Sequence, residues 1–172
     1  MRDIASLDRA NLLHPSIRKE VIDTITKIEN DLFPPTVKIR IVQGLRTIEE
    51  QNELFAQGRT KPGLIVTHAK GGSSYHNYGL AIDFVLMYDK DKNGSYEALS
   101  WDVNYDFDKD GVKDWQEVVN SFKALGYTWG GDFKNLTDNP HLEKTFGHNW
   151  RILKERYDAK EFIAGTKYVR ID

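Results

Sequence analysis

The stretch Ser74-Tyr75-His76-Asn77-Tyr78-Gly79-Leu80-Ala81-Ile82-Asp83 constrains this chain most, because Asp138-Asn139-Pro140-His141 lies downstream to complete it. Together the two segments offer two imidazoles and two carboxylates. Three of these could hold a zinc ion and the fourth could act as a base on water, the minimum for metal-assisted hydrolysis. A catalytic zinc takes three protein ligands and leaves one position open, and His76, Asp83 and His141 fit the ligand role. The local pattern supports this geometry. Ala81 to Leu86 alternates as a strand in which Ala81, Asp83 and Val85 share one face while Ile82, Phe84 and Leu86 point into a core. An unbroken strand would put His76 on the face opposite Asp83; Asn77-Tyr78-Gly79 supplies a turn that brings it back, with Gly79 as the pivot. Asp138 precedes His141 by three residues across a proline, so one side chain can bind metal while the other reaches adjacent water, with Glu143 as the rival base.

A second cluster points to calcium. Asp106 to Glu117 matches the twelve-residue calcium loop: Asp106, Asp108 and Asp110 at positions 1, 3 and 5, Gly111 at 6, the Val112 carbonyl at 7, Asp114 at 9 and Glu117 at 12. Ca²⁺ takes six to eight oxygens around a sharp turn, and Glu117 can close the shell with both carboxylate oxygens. Trp115, Val118, Val119, Phe122 and Leu125 form a helical stripe behind the loop, before Gly126. Glu97 to Tyr105 lacks such a stripe, so an EF-like loop is expected rather than a paired helix-loop-helix. An imperfect copy starts at Asp89 but has Ser100 at position 12, and it reads as an acidic connecting loop. Residues 89 to 117 hold nine acidic and four basic residues, a net charge of −5 against −2 for the whole chain. The negative charge is local, where a divalent ion relieves self-repulsion. No basic patch or RNA-binding motif points to nucleic acid.

With 172 residues and 40% hydrophobic content, the chain can bury one good core, and a single domain over residues 1–172 with an insert at about 89–117 is the natural reading. Cysteine is absent, which excludes disulfides and thiolate nucleophiles. No signal-peptide core or run of 18 apolar residues stands out, so no membrane anchor is expected. A helical stripe of Ile17, Val21, Ile25, Ile28 and Leu32 runs from Pro15 to Pro34, Val37 to Val42 alternates as a strand, and Thr47 to Glu50 reads as a capping box for a helix closed by Gly58. Residues 59 to 73 form a long loop expected to line the cleft. Strands around Ala81 to Leu86 and His141 to Phe146, with a late helix from Arg151 to Asp158, complete an α+β architecture with a small antiparallel sheet.

The pattern Ser-x-His-x-x-Gly-x-Ala-x-Asp, followed by an acid three residues before a histidine, resembles the D-Ala-D-Ala carboxypeptidase and L-alanyl-D-glutamate endopeptidase family of zinc peptidases, which share the hedgehog/DD-peptidase fold. Val42 to Thr47, Gln57 to Gly63, Val66 to Ser73 and Trp129 to Phe133 resemble the L-alanyl-D-glutamate branch in order and spacing. Residue by residue, the resemblance implies His76, Asp83 and His141 as zinc ligands, Asp138 as catalytic base, and Arg46 and Ser74 as substrate or transition-state contacts; His68 stands where that branch has asparagine. It implies cleavage of the L-Ala-D-Glu bond of peptidoglycan stem peptides, as in phage endolysins held in the host cytoplasm until release, or in periplasmic or extracellular bacterial wall hydrolases; a monomer is expected. The alternatives are a D-Ala-D-Ala carboxypeptidase and a non-catalytic, calcium-dependent wall-binding module. The remaining histidines, His14 and His148, read as ordinary hydrogen-bonding groups.

Overall fold

The computed structural model describes residues 1–172, the side chain of Ala98 excepted. Five helices, α1 (Ile4–Asn11), α2 (Pro15–Asp31), α3 (Ile48–Ala56), α4 (Asp114–Lys123) and α5 (Trp150–Asp158), surround a five-stranded sheet. Its strands are β1 (Val37–Gln43), β2 (Ala81–Tyr88), β3 (Ala98–Ser100), β4 (Thr128–Trp129) and β5 (His141–Glu143). They run in the order β1-β2-β5-β4, with β3 beside the far end of β2, and every pairing is antiparallel. The α+β expectation holds. No helix among the described residues is long and apolar enough to cross a membrane.

The register explains the core. Ile39 lies opposite Leu86 and Ile41 opposite Phe84, so these four share one face of the sheet, and Ile82 joins them two residues along β2. All five are buried in one cluster with Ile17, Val21, Ile25 and Ile28 of α2 and Trp115, Val118, Val119 and Phe122 of α4. The Trp115 ring lies 4.5 Å from Phe84, centroid to centroid. The other face of β2 and β5 is left for Asp83 and His141. Ala81 and Val85, on that face, are nevertheless fully buried.

Three expected apolar positions fall outside the core. Leu32 and Leu125 lie just beyond the last turns of α2 and α4 and are 43% and 40% exposed, because each helix ends before the stripe does. β5 stops at Glu143 rather than Phe146, whose φ of 51° is incompatible with a strand. The capping box at Thr47 and Glu50 is present in full.

Helix α1 was not evident from periodicity, since Ser6 and Ala10 are what it buries. It is held by polar contacts instead. Asp3 caps it through Ser6 N and receives Arg40 from β1, at 2.7 Å from Nη2. Ser6 Oγ in turn accepts the Ile41 N–H, and Glu29 of α2 accepts the Ile39 N–H, so two outward donors of edge strand β1 are satisfied by helices. Burial raises the Asp3 carboxyl, but the hydrogen bonds from Arg40 and Ser6 outweigh it and hold the pKa at about 2. A depressed carboxylate stabilises above its unfolded pKa and loses that contribution as pH falls through the folded value. Asp3→Asn should therefore lower stability by about 1–3 kcal/mol at pH 7. In urea titrations this difference should shrink as pH falls from about 4 toward 2; a difference independent of pH would contradict the ion-pair account.

Candidate metal centre and cleft

Asp83 and His141 are direct partners across β2 and β5, which projects both side chains from the same face. His76 reaches them from a 3₁₀ turn, Tyr75–Tyr78, that precedes β2. Gly79 ends this turn with φ 69°, and a Cβ there would lie 2.8 Å from His14 N, so both conformation and space demand glycine. The expected pivot is in place.

Three atoms converge: His76 Nε2 lies 3.1 Å from Asp83 Oδ1 and 3.2 Å from His141 Nδ1, and the last two are 3.1 Å apart. A tetrahedral ion with bonds of about 2.0–2.1 Å requires neighbouring ligand atoms about 3.3 Å apart, so the triangle fits zinc. The far nitrogens are engaged: His76 Nδ1 donates to the Gly44 carbonyl at 2.8 Å and His141 Nε2 donates to Glu143 Oε2 at 2.9 Å, so the inward nitrogens are the ones that would ligate a metal. Both imidazoles are buried. Burial raises the Asp83 carboxyl, yet the two histidines overcome this and hold it below the usual carboxylate range. Burial lowers His141, but Asp83 and Glu143 reverse the effect and bring it to about 9. The pocket is thus built to receive positive charge.

Asp138 stands on the rim of the same cleft, which has a volume of about 550 Å³ and includes Arg46, Ser74 and the loop residues Val66 to Ala69. Its turn is set by Gly130: the Gly130 carbonyl accepts from Asp138 N at 3.0 Å, and a Cβ on Gly130 would lie 2.3 Å from Asp138 O. Although Asp138 reaches solvent, the surrounding protein and the charge of Asp83 push its carboxyl up, against the opposing pull of His141, His76 and Arg46. Arg46 is half-buried, and its Nε–H finds no partner within the protein while Nη1 donates to Gln51. Ser74 caps the 3₁₀ turn through His76 N as well as lining the cleft. His68 is exposed on the cleft wall. His14, by contrast, is wholly buried and caps α2, with its Nε2 on Val169 O.

Glu143, the rival base, lines the same cleft and places its carboxylate against the outer nitrogen of His141. The signal was available, since residues 141 and 143 of one strand point the same way.

Asp106, Asp108 and Asp114 bring carboxylate oxygens within 4.8 Å of one another. Gly111 has φ 94° and donates its N–H to Asp106 at 3.1 Å. Asp110 and Val112 are exposed, with Asp110 accepting from Val112 N. Glu117 is 8% exposed, and its Oε2 is buried with no hydrogen-bond partner. Burial, followed by Asp110, Asp108, Asp114 and Asp106, raises Glu117 to about 7.

Residues 67–144 match the family model described as D-alanyl-D-alanine carboxypeptidase. The chain is 53% identical over 107 residues to the peptidoglycan L-alanyl-D-glutamate endopeptidase CwlK of Bacillus subtilis, covering 62% of this chain and 60% of the relative. It is 30% identical over 107 residues to the L-alanyl-D-glutamate peptidase of Listeria phage A118, covering 62% of this chain and 30% of the relative. The chain thus spans less than two thirds of either curated relative. The solved L-Ala D-Glu endopeptidase ChiX of Serratia marcescens shares the fold, with a TM-score of 0.53 at 24% identity over 83% of this chain and 88% of that one.

Glu143→Gln keeps an acceptor on His141 but removes its charge, so zinc affinity should fall about 10–100-fold in a chelator competition titration. Unchanged affinity would mean that Glu143 does not tune His141.

Proposed function

We propose that this chain, whose residues 67–144 match the family model described as D-alanyl-D-alanine carboxypeptidase, is a zinc peptidase hydrolysing the L-alanyl-D-glutamate bond of peptidoglycan stem peptides. The observation that carries the chemistry is the triangle of inward atoms on His76, Asp83 and His141, with both outward imidazole nitrogens already engaged. The choice of bond is supported by the 53% identity to a relative named for that cleavage.

Zinc, when bound, supplies a Lewis acid that polarises a peptide carbonyl and lowers the pKa of water at its open position. Asp138 takes the proton of the attacking water and passes it to the leaving amine. Burial and the charge of Asp83 raise the Asp138 carboxyl, the direction that makes it a stronger base. The unpartnered Nε–H of Arg46 offers a donor to the scissile carbonyl oxygen as negative charge develops there. Ser74 and the wall formed by Val66 to Ala69 border the substrate.

Mass spectrometry of muropeptides released from peptidoglycan by the zinc-loaded protein tests this reading. Peptides with a new N-terminal D-glutamate are expected. Release of D-alanine alone would make the protein a D-Ala-D-Ala carboxypeptidase, and binding without cleavage would make it a wall-binding module. Asp138→Asn should keep zinc while turnover falls by about 10²-fold or more. Equal turnover in this variant would remove Asp138 from the base role.

A second reading concerns the acidic loop, and the observation favouring it is the buried, unpartnered Glu117 Oε2 facing four aspartates. A calcium ion held by Asp106, Asp108, Asp110, the Val112 carbonyl and Glu117 would neutralise that charge. Asp114 accepts from Tyr88 OH at 2.8 Å, and Tyr88 ends the strand that carries Asp83, which gives the ion a route to the zinc ligands. Calcium is on this reading an activator, and low free calcium would restrain an endolysin inside its host cell; the likeness to a Listeria phage peptidase supports that setting. Asp108→Ala combined with Glu117→Gln should abolish calcium stimulation and leave zinc in place. If wild-type activity at saturating zinc were equal in chelator and in millimolar calcium, the activator role would be wrong.

A further inference from the structure

Gln51 is a wholly buried polar side chain on α3, and the reaction outlined above does not use it. Its amide is engaged at both ends. The oxygen accepts from Arg46 Nη1 at 2.9 Å, while the nitrogen donates to Ala69 O at 2.9 Å and reaches Thr67 Oγ1 at 3.4 Å. One end therefore fixes the guanidinium, and the other fixes the loop that forms the cleft wall.

The rest of Arg46 is held by the turn that carries His76. Arg46 N donates to His76 O at 3.0 Å, and Asn77 Nδ2 donates to Arg46 O at 3.1 Å. The main chain of Arg46 is thus tied to the metal-binding turn, and its side chain to Gln51. The wall has separate anchors nearby: Asn52 Oδ1 accepts from Gly71 N and Asn77 Oδ1 from Gly72 N, each at 2.9 Å. Among these contacts Gln51 alone bridges the wall and the guanidinium.

We propose that Gln51 is a positioning residue that sets Arg46 and the Thr67–Ala69 wall in register, so that the transition-state donor and the substrate-facing wall move together. The catalytic half of this proposal rests on the peptidase reading. An arginine with one buried donor free and another clamped is directional, whereas an unclamped guanidinium would turn toward Asp83, Glu50 or Asp138, the acids that act on it. Gln51 spends its oxygen on the clamp and its nitrogen on the wall. A glutamine amide supplies both a donor and an acceptor without charge.

Two substitutions separate the ends. Gln51→Glu keeps an acceptor for Arg46 and loses the donor to Ala69; Gln51→Met keeps the volume and loses both. With zinc-loaded protein and a stem peptide as substrate, Gln51→Met should lower kcat about 10²-fold with KM changed less than about threefold, the pattern of a displaced transition-state donor. Gln51→Glu should recover most of kcat and raise KM. Amide hydrogen exchange, read on the same proteins without substrate, should quicken about tenfold at residues 67–72 in both variants, with helix α2 unchanged. Equal losses of kcat in the two variants, or unaltered exchange in the wall, would overturn the proposal. A wild type inactive on the stem peptide would defeat the peptidase reading, and the exchange measurement would still decide whether Gln51 ties the wall.

Discussion

Two imidazole nitrogens and a carboxylate oxygen meet within 3.2 Å of one another in this protein. Such a cluster needs positive charge among its members, a proton or a metal ion. Every structural element nearby serves to hold it. β2 and β5 set Asp83 against His141, and Gly79 turns His76 inward. The Gly44 carbonyl and the Glu143 carboxylate occupy the outward nitrogens.

The fold divides its labour between the two faces of one sheet. The face bearing Ile39, Ile41, Ile82, Phe84 and Leu86 buries against α2 and α4, which gives β2 a rigid backing. The opposite face presents the polar cluster. Because side chains alternate along β2, the same eight residues make the core and aim Asp83, and a one-residue slip would lose both at once. The acidic loop lies at the other end of this strand, joined to it by the Tyr88–Asp114 hydrogen bond and by stacking of Tyr88 on Phe107 at 4.9 Å.

Sequence pattern was informative where one residue served a repeating geometry. The stripe of α2, the alternation of β1 and β2, the capping box at Thr47 and the turn at Gly79 each follow from periodicity or backbone conformation, and each is present. β3 and β4, three and two residues long, are too short for any period to register. Helix α1 is fastened by Asp3, Ser6 and Arg40 rather than by an apolar stripe. Within the site, the zinc-ligand candidates were legible because their chemistry is distinctive. The roles of Gly44 and Gln51 were not, because a carbonyl and an amide become informative only when their partners, up to 32 residues away, are known.

X-ray absorption at the zinc edge, on protein loaded with one equivalent of zinc and with calcium present to occupy the acidic loop, tests the centre of this account directly. It reports ligand type and number without requiring turnover. The account predicts four nitrogen or oxygen neighbours at about 2.0–2.2 Å, with outer-shell scattering from two imidazoles. A six-coordinate, all-oxygen shell, or a shell with one imidazole or none, would contradict it.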